Sequence, residues 1–328
     1  MRPAYIGKAK MQHTDFDKFN AALTSGKIPG VILWRGASAI DGAEIVLVAN
    51  RFADNSGNEK TGAMLQTWIL PDPLAAGIDV SGNRPAKIVD WLKSTGAKSI
   101  CGDCPHAWQY NAASGQYEKG SCYVREYQAP AATLGGVYRG AYPVAGVDFP
   151  AAWIARLGAG RNIRAGSYGD PAACPPEIWA AFLSLAAGRT GYSHGWKSAF
   201  HGFKRNAHRM RGLVMASCDN AADLSAARDA GFRAFYVVPH GAIKSRADVK
   251  AGAIVSGAML CPASGEFEQF TGRKTSCIDC GACSGAGGKG QRMPDVIIPD
   301  HSTKRRGNAA ALAKQCPAAA KMLERMGD

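Results

Sequence analysis

Seven of the ten cysteines in this 328-residue chain fall into two groups whose spacing suits metal or iron–sulfur binding. The first cysteine group consists of Cys101, Cys104 and Cys122 in CGDCPHAWQYNAASGQYEKGSC. A Cys-x-x-Cys turn brings two thiolates onto one ion, and Cys122 can return across the intervening loop as a third ligand. Three cysteines suit a [4Fe–4S] cluster with one open iron, whereas the same three with His106 suit a structural zinc ion. The spacing leaves both alternatives open.

The second cysteine group combines a repeated two-residue spacing with one distant cysteine. Cys277, Cys280 and Cys283 form Cys-x-x-Cys-x-x-Cys, and Cys261 is a natural fourth ligand. The repeated spacing curls the backbone so that successive thiolates face one cavity, which favours an iron–sulfur cluster over zinc. Four cysteines leave no open iron, so we expect a structural or electron-relay role here.

The elements that must position these residues follow an α/β pattern. Strands expected near residues 98, 163, 191, 213, 233 and 255 alternate with helices of roughly a dozen residues, which is typical of βα units around a parallel sheet. Six units predict a partial (βα)6 TIM-like barrel over residues 98–260. Residues 1–97, with apolar runs at 30–34, 44–50 and 63–70, predict an N-terminal β-rich module. Residues 261–328 are expected to form a C-terminal Cys-rich extension that ends in a helix.

Polar and metal-binding residues follow each expected strand. Since the loops after parallel strands converge at one edge, these residues are expected to form one site there, the alternative being a scatter over the surface. The residues concerned are Cys101, Asp170, His194, Cys218 with Asp219, His240 and Cys261. In the turn SYGDP, Gly169 allows a ligand to approach the backbone closely, and Asp170 can accept hydrogen bonds from an amine or a ribose. The same Asp-Pro pair is also an ordinary turn and capping device.

A basic stretch without any acidic residue runs from Ile178 to Cys218, in a chain whose formal net charge is +13. Interleaved aromatic residues, Trp196, Phe200 and Phe203, are expected to stack on bases, so the stretch predicts a nucleotide or nucleic-acid partner. The alternative is a solvated helix face with the aromatic residues buried beneath it. The candidate phosphate contacts are Lys197, Lys204, Arg205, Arg209 and Arg211, and Lys304, Arg305 and Arg306 are candidates to extend the patch.

Several protein classes lack their usual markers in this chain. No apolar run approaches the roughly 18 residues of a membrane-spanning helix, and the first residues lack the apolar region of a secretory signal. We therefore expect a cytoplasmic protein with no membrane partner, in which Cys174, Cys218 and Cys316 are small buried residues. No Gly-x-Ser-x-Gly, Gly-x-Gly-x-x-Gly or P-loop motif is present. These patterns do not indicate an oligomeric state.

Residues 98–262 resemble the radical S-adenosylmethionine enzymes. That family uses a partial (βα)6 barrel, and its three-cysteine cluster loop corresponds to the first cysteine group. Its amine-binding motif after the second strand corresponds to Gly169–Asp170. The phrases CYV and GSYGDP are similar to an uncharacterised phage-encoded, Cys-rich branch. The family has Cys-x-x-x-Cys-x-x-Cys and Glu where this chain has Cys-x-x-Cys, a distant Cys122 and Asp170.

The resemblance implies one or two [4Fe–4S] clusters and S-adenosylmethionine as cofactors. Ser217 and Asp219 would face that cofactor together with Gly169 and Asp170, while Asp170 and His194 would be the catalytic residues. The second cysteine group would then hold an auxiliary cluster. With the basic stretch, this predicts an iron–sulfur enzyme acting on a nucleotide or nucleic acid. The alternative is a non-enzymatic nucleic-acid-binding protein with structural zinc or iron–sulfur sites.

Overall fold

The computed structural model describes residues 12–53, 59–79, 84–93, 97–287 and 293–300. Its strands are β1 (Gly30–Ala37), β2 (Glu44–Asn50), β3 (Leu65–Pro71), β4 (Trp108–Asn111), β5 (Gln116–Lys119), β6 (Asn162–Tyr168), β7 (Gly188–Ser193), β8 (Met215–Cys218), β9 (Ala234–Val238), β10 (Ala258–Leu260) and β11 (Asp295–Pro299). Its helices are α1 (Phe16–Thr24), α2 (Arg84–Trp91), α3 (Ala97–Cys101), α4 (Ala129–Tyr138), α5 (Ile154–Gly158), α6 (Pro176–Leu183), α7 (His201–Arg209), α8 (Ala221–Asp229), α9 (Gly265–Thr271) and α10 (Cys277–Cys280).

Nine of these strands form one large, mostly parallel sheet in the order β1-β2-β3-β6-β7-β8-β9-β11-β10. The first two pairings, β1 with β2 and β2 with β3, are antiparallel, and every later pairing is parallel. The predicted mixed α/β class is therefore confirmed, as are the strands expected from the apolar runs at 30–34, 44–50 and 63–70. Strands β4 and β5 form a separate two-stranded hairpin.

The strand predicted at residues 98–100 is wrong, because this segment is the short helix α3. The N–H of Gly102 donates to the carbonyl oxygen of Lys98 at 2.8 Å, a helical bond. Strand β3 pairs in parallel with β6, whose other neighbour is β7, so no edge of β6 remains for residues 98–100. Cys101 accordingly ends a helix and does not follow a strand.

The sheet runs through all three segments that the sequence suggested. Strand β3, from the first segment, opens the parallel series, and β11, from the last, lies between β9 and β10. The predicted C-terminal helix lies outside the described residues, as do Lys304, Arg305, Arg306 and Cys316. Among the helices that are described, none combines the length and apolarity needed to cross a bilayer.

The two faces of the sheet carry different cores. Along β8, Ala216 and Cys218 belong to the largest apolar cluster, whereas Met215 belongs to a smaller one, as expected for alternating side chains. The large cluster includes Trp179, Phe182 and Phe203 from the helices, all fully buried. Burial of each such side chain contributes roughly 1.5–3 kcal/mol. The smaller cluster includes Cys261, Cys283, Val296 and Ile298 and lies beneath the second cysteine group.

Candidate metal and cofactor site

The first cysteine group is assembled by helix α3, a tight turn and the β4–β5 hairpin. The N–H of Cys104 donates to the carbonyl oxygen of Cys101 at 3.2 Å, which closes the turn after α3. The hairpin then reverses the chain, and the N–H of Cys122 donates to the carbonyl oxygen of His106 at 3.0 Å. The hairpin is thus the loop that returns Cys122 to the other two cysteines.

The thiols of this group are half-buried and interact electrostatically with one another. Burial raises the pKa of Cys101 well above its usual range, and the charges of Cys104 and Cys122 raise it further. Burial likewise raises the pKa of Cys122 to about 11. Without a cation Cys101 and Cys122 therefore stay protonated at neutral pH, and a bound metal would have to displace their protons.

Three neighbouring parallel strands deliver polar residues to the edge beside these cysteines. Asp170 follows β6, His194 follows β7 and Asp219 follows β8. The backbone N–H of His194 donates to Asp170 Oδ2 at 2.7 Å, and His194 Nε2 lies 3.2 Å from Asp219 Oδ1. On the other side of its ring, His194 Nδ1 lies 3.5 Å from the sulfur of Cys104. The structure therefore brings these three predicted residues to the first cysteine group.

One carboxylate oxygen is the meeting point of two imidazole rings. His106 Nε2 lies 2.7 Å from Asp219 Oδ1, the same atom that His194 approaches. The other carboxylate oxygen, Oδ2, accepts a hydrogen bond from Lys197 Nζ at 2.6 Å, and Lys197 also pairs with Asp223. The candidate ligand atoms of His106, His194 and Asp219 all lie within 4.8 Å of one another.

The electrostatics of this cluster favour a charged Asp219. Burial would raise its pKa, but hydrogen bonds from His106 and His194 and the charges of His194 and Lys197 lower it far below the usual range. Burial would lower the pKa of His194, but the interactions of its ring with Cys104 and Asp219 raise it well above the usual range. The negative charge of Asp219 and the positive charge of His194 thus stabilise each other.

Asp170 is buried, and its carboxylate is committed to backbone N–H groups. Oδ1 accepts from Ala172 at 2.9 Å, while Oδ2 accepts from Gly195 at 3.3 Å in addition to His194. These contacts correspond to the turn-and-cap alternative for the Asp-Pro pair. Gly169 has φ of 77°, and a Cβ there would lie 2.7 Å from Cβ of Ile69 on β3. Its small size is therefore required by packing against the neighbouring strand.

The other residues predicted at the sheet edge have different surroundings. Ser217, on β8, is buried, and its carbonyl oxygen accepts a hydrogen bond from Trp196 Nε1 at 2.8 Å. Cys218 and Cys174 are fully buried, as the sequence predicted. His240 is exposed after β9.

The basic stretch divides into two parts. Lys197 belongs to the Asp219 cluster, whereas Lys204, Arg205, Arg209 and Arg211 are exposed along and just after α7. Arg209 pairs with Glu177 at 2.6 Å. The expectation that the interleaved aromatic residues stack on bases is wrong for Trp196 and Phe203. Both are buried in the core, and Phe203 is buried because the amphipathic helix α7 turns its apolar face to the sheet.

The second cysteine group surrounds a cavity on the face of the sheet that carries the smaller core. Cys261 follows β10, and helix α10 begins and ends with Cys277 and Cys280. The N–H of Gly191 on β7 donates to the carbonyl oxygen of Cys283 at 3.2 Å, which fixes the last cysteine against the sheet. The cavity is lined by all four cysteines together with Lys60, Tyr192, Phe235 and Val296. Burial raises the pKa of Cys261 to about 11.

A buried arginine holds the loop of the second group in place. Arg233 donates from Nη1 to the carbonyl oxygens of Ala282 at 2.6 Å and Gly285 at 3.2 Å, and from Nη2 to that of Pro294. Arg189 similarly donates to the carbonyl oxygen of Ser284 at 3.1 Å. Arg189 on β7 and Arg233 directly before β9 thus supply cations that satisfy carbonyl groups of the cysteine loop.

Sequence reasoning missed two parts of this site. It predicted that Lys197 contacts a phosphate, whereas Lys197 pairs with the carboxylates of Asp219 and Asp223. The available signal was the spacing of these two aspartates, four residues apart. Sequence reasoning also missed the β4–β5 hairpin, whose turn residues Ser114 and Gly115 were an available signal. Comparisons with models of protein families, with curated proteins and with solved structures find no match for this chain.

Proposed function

We propose that this chain is an iron–sulfur enzyme of the radical S-adenosylmethionine type, built on a partial (βα)6 barrel and acting on a nucleotide or nucleic acid. One observation carries the proposal: the first cysteine group lies at the carboxyl edge of the parallel strands, in contact with His194. Ligand sites of open parallel sheets and barrels occupy that edge. A three-cysteine group placed there is suited to bind a reacting molecule, whereas a purely structural ion has no need of that position.

The spacing of the cysteine sulfurs favours an iron–sulfur cluster over zinc. A tetrahedral zinc ion with Zn–S bonds of about 2.3 Å holds its sulfurs roughly 3.8 Å apart. Among the described residues, which include all seven cysteines of the two groups, only the His106, His194 and Asp219 set has three ligand atoms within 4.8 Å of one another. A cubane cluster places each thiolate on a different iron and therefore accommodates wider spacing.

Three cysteines would leave one iron of the first cluster open for S-adenosylmethionine. When bound, the cluster supplies the single electron with which that cofactor is cleaved to begin hydrogen-atom abstraction. The chain's own residues would bind and orient the cluster and the cofactor. His194 donates toward the Cys104 sulfur, and Asp170 holds the loop after β6 by accepting backbone hydrogen bonds. Ser217 shares a sheet face with Met215 and would meet the cofactor from β8 together with Gly169.

The second cysteine group would hold an auxiliary cluster. Its four cysteines line one cavity, so no iron would be left open, and Lys60 contributes positive charge beside Cys261 and Cys277. Cationic surroundings stabilise a thiolate-bound, negatively charged cluster. This supports an electron-relay or structural role on the opposite side of the sheet from α7.

A nucleotide or nucleic-acid substrate is supported by exposed aromatic and basic residues. Four of the six large apolar side chains that are exposed in the described chain lie around the first cysteine group: Tyr110, Tyr117, Tyr123 and Tyr127. Exposed tyrosine rings stack on bases regardless of sequence. The exposed basic residues of α7 and the net charge of +13 would attract the phosphates.

Anaerobic reconstitution with iron and sulfide tests the proposal. Two [4Fe–4S] clusters correspond to about eight irons per chain, and a Cys122→Ala variant should retain about four. Cys174→Ala, a buried cysteine outside both groups, is the matched control and should keep all of them. Reduction in the presence of S-adenosylmethionine should release 5′-deoxyadenosine from the wild type and not from Cys122→Ala. A wild-type protein with full clusters and no 5′-deoxyadenosine would contradict the enzymatic proposal.

A non-enzymatic nucleic-acid-binding protein is the second candidate, and the contacts of Asp170 favour it. The carboxylate expected to bind the cofactor amine accepts three backbone hydrogen bonds, as in a purely structural cap. Under this alternative the purified protein is colourless and contains about two zinc ions, and nucleic-acid binding needs no reductant. Metal content and the absorption spectrum under nitrogen separate the two candidates.

A further inference from the structure

We propose that His106, His194 and Asp219 bind a divalent transition-metal ion, Fe²⁺ or Zn²⁺, next to the first cysteine group. The site has no cysteine ligand, and it assigns His106 to this ion rather than to a zinc ion in the first cysteine group. Two imidazoles and one carboxylate are a ligand set that suits these metals. The ion would be reached from the same sheet edge as the proposed substrate.

The positions of the three ligand atoms fit a single ion. Ligands at about 2.0–2.2 Å from a tetrahedral or octahedral metal lie roughly 3 Å from one another. His106 Nε2 and His194 Nε2 lie 2.7 Å and 3.2 Å from Asp219 Oδ1, and all three atoms fall within 4.8 Å of one another. Only a small movement of the side chains would be needed to place an ion between them.

Each ligand is held at its far side by another residue. His106 Nδ1 contacts Ser121 Oγ, and His194 Nδ1 lies 3.5 Å from the sulfur of Cys104. Lys197 Nζ binds Asp219 Oδ2 at 2.6 Å and leaves Oδ1 turned toward the imidazoles. Such outer contacts fix ring orientation and ligand direction in metal sites. Lys197 also pairs with Asp223, so the second carboxylate offsets its positive charge near the ion.

The backbone positions the ligands rigidly while leaving access from solvent. His194 and Asp219 directly follow the adjacent strands β7 and β8, and His106 is tied to Cys122 through its carbonyl oxygen. The side chains of His106, His194 and Asp219 remain 27%, 17% and 15% exposed. Three protein ligands leave open coordination positions, as in catalytic rather than structural metal sites. An ion here would bind water or polarise a phosphate or carbonyl oxygen of a substrate.

The same contacts can also exist as a hydrogen-bond network without an ion. Both imidazoles would then donate Nε2–H to Asp219, while Nδ1 of His106 accepts from Ser121 and the protonated His194 also donates Nδ1–H toward Cys104. A cobalt titration separates the two states, because the ion either displaces those protons or finds no site. Co²⁺ bound by nitrogen and oxygen ligands has visible d–d bands, whereas Co²⁺ bound by cysteine adds intense sulfur-to-metal bands.

The titration is carried out anaerobically on the full chain after its clusters are loaded. We expect the wild type to bind one Co²⁺ more than His106→Ala, without sulfur-to-metal bands from that ion. Asp219→Asn should weaken this binding by at least about 100-fold, and Ser121→Ala, which removes only an outer contact, by about 10–100-fold. His240→Ala, an exposed histidine at the same edge, should bind as the wild type does.

Equal Co²⁺ stoichiometry in the wild type and His106→Ala would overturn the proposal, as would sulfur-to-metal bands from the additional ion. The readout is a difference between two proteins, and the sulfur-to-metal bands distinguish this ion from one that His106 would bind together with the cysteines. Iron content separates this proposal from the cluster proposal, because His106→Ala should retain its cluster irons whereas Cys122→Ala should lose about four of them. The mild Ser121→Ala variant keeps the test valid if the other variants fold poorly.

Discussion

The Nδ1 atom of His194 lies 3.5 Å from the sulfur of Cys104, although ninety positions separate the two residues in the sequence. This contact joins the end of strand β7 to the turn that carries the first cysteine group. A change at Cys104 therefore directly alters the surroundings of His194 at the edge of the sheet. Because of this contact, we expect a substitution at His194 to change the properties of the ion or cluster that the cysteines bind.

We predict that His194→Ala lowers the reduction potential of the first cluster while leaving its iron content unchanged. Hydrogen bonds to cluster sulfurs raise the potential, because they stabilise the more negative reduced state. Redox titration followed by electron paramagnetic resonance measures the shift, with His240→Ala as the control. An unchanged potential in His194→Ala would show that the contact with Cys104 has no bearing on the cluster.

Metal binding by both cysteine groups should become stronger as pH rises. The pKa values of Cys122 and Cys261 are raised to about 11 by burial, so these thiols bind protons throughout the neutral range. A metal must displace those protons, and the apparent affinity should therefore rise by up to about tenfold per pH unit for each thiol ligand. Zinc competition with a chromophoric chelator at mildly acidic and mildly alkaline pH measures this. A pH-independent affinity would mean that the thiols are already deprotonated.

Several features of this site could be predicted from the sequence because they depend on local patterns. The spacing of Cys277, Cys280 and Cys283 and the apolar runs of β1, β2 and β3 required no knowledge of distant partners. The helical state of residues 97–101 could not be predicted, because it depends on β3 occupying the edge of β6. Similarly, His106 and Asp219 meet across 113 positions, and no periodicity in the chain encodes that contact.

Arg233→Met should remove the second cluster and retain the first. The guanidinium satisfies the carbonyl oxygens of Ala282 and Gly285, and each buried carbonyl left without a partner costs about 1–3 kcal/mol. The cysteine loop should then detach from β7 and β9, and the iron content should fall by about half under the two-cluster proposal. Arg211→Met, at an exposed position, is the control. Full iron content in Arg233→Met would show that the cluster ligands hold the loop by themselves.

Asp170→Asn should lower stability by about 1–3 kcal/mol, because an amide cannot accept all the hydrogen bonds now made by the carboxylate. Chemical unfolding of the metal-free protein measures this effect apart from any cofactor. If Asp170 also binds S-adenosylmethionine, the variant should lose 5′-deoxyadenosine formation under conditions in which it is fully folded. Full activity in the folded variant would restrict Asp170 to its capping role.

The exposed basic residues of α7 give the nucleic-acid proposal its own test. Each phosphate contact contributes about 0.7 to the slope of log affinity against log salt concentration for single-stranded nucleic acid. The triple variant Lys204→Ala, Arg205→Ala, Arg211→Ala should therefore reduce that slope by about two. Fluorescence anisotropy with a single-stranded oligonucleotide over a range of salt concentrations measures it. Arg209→Ala should have a smaller effect, because Arg209 already pairs with Glu177. An unchanged slope in the triple variant would mean that this face of α7 is only solvated and that any nucleic acid binds elsewhere.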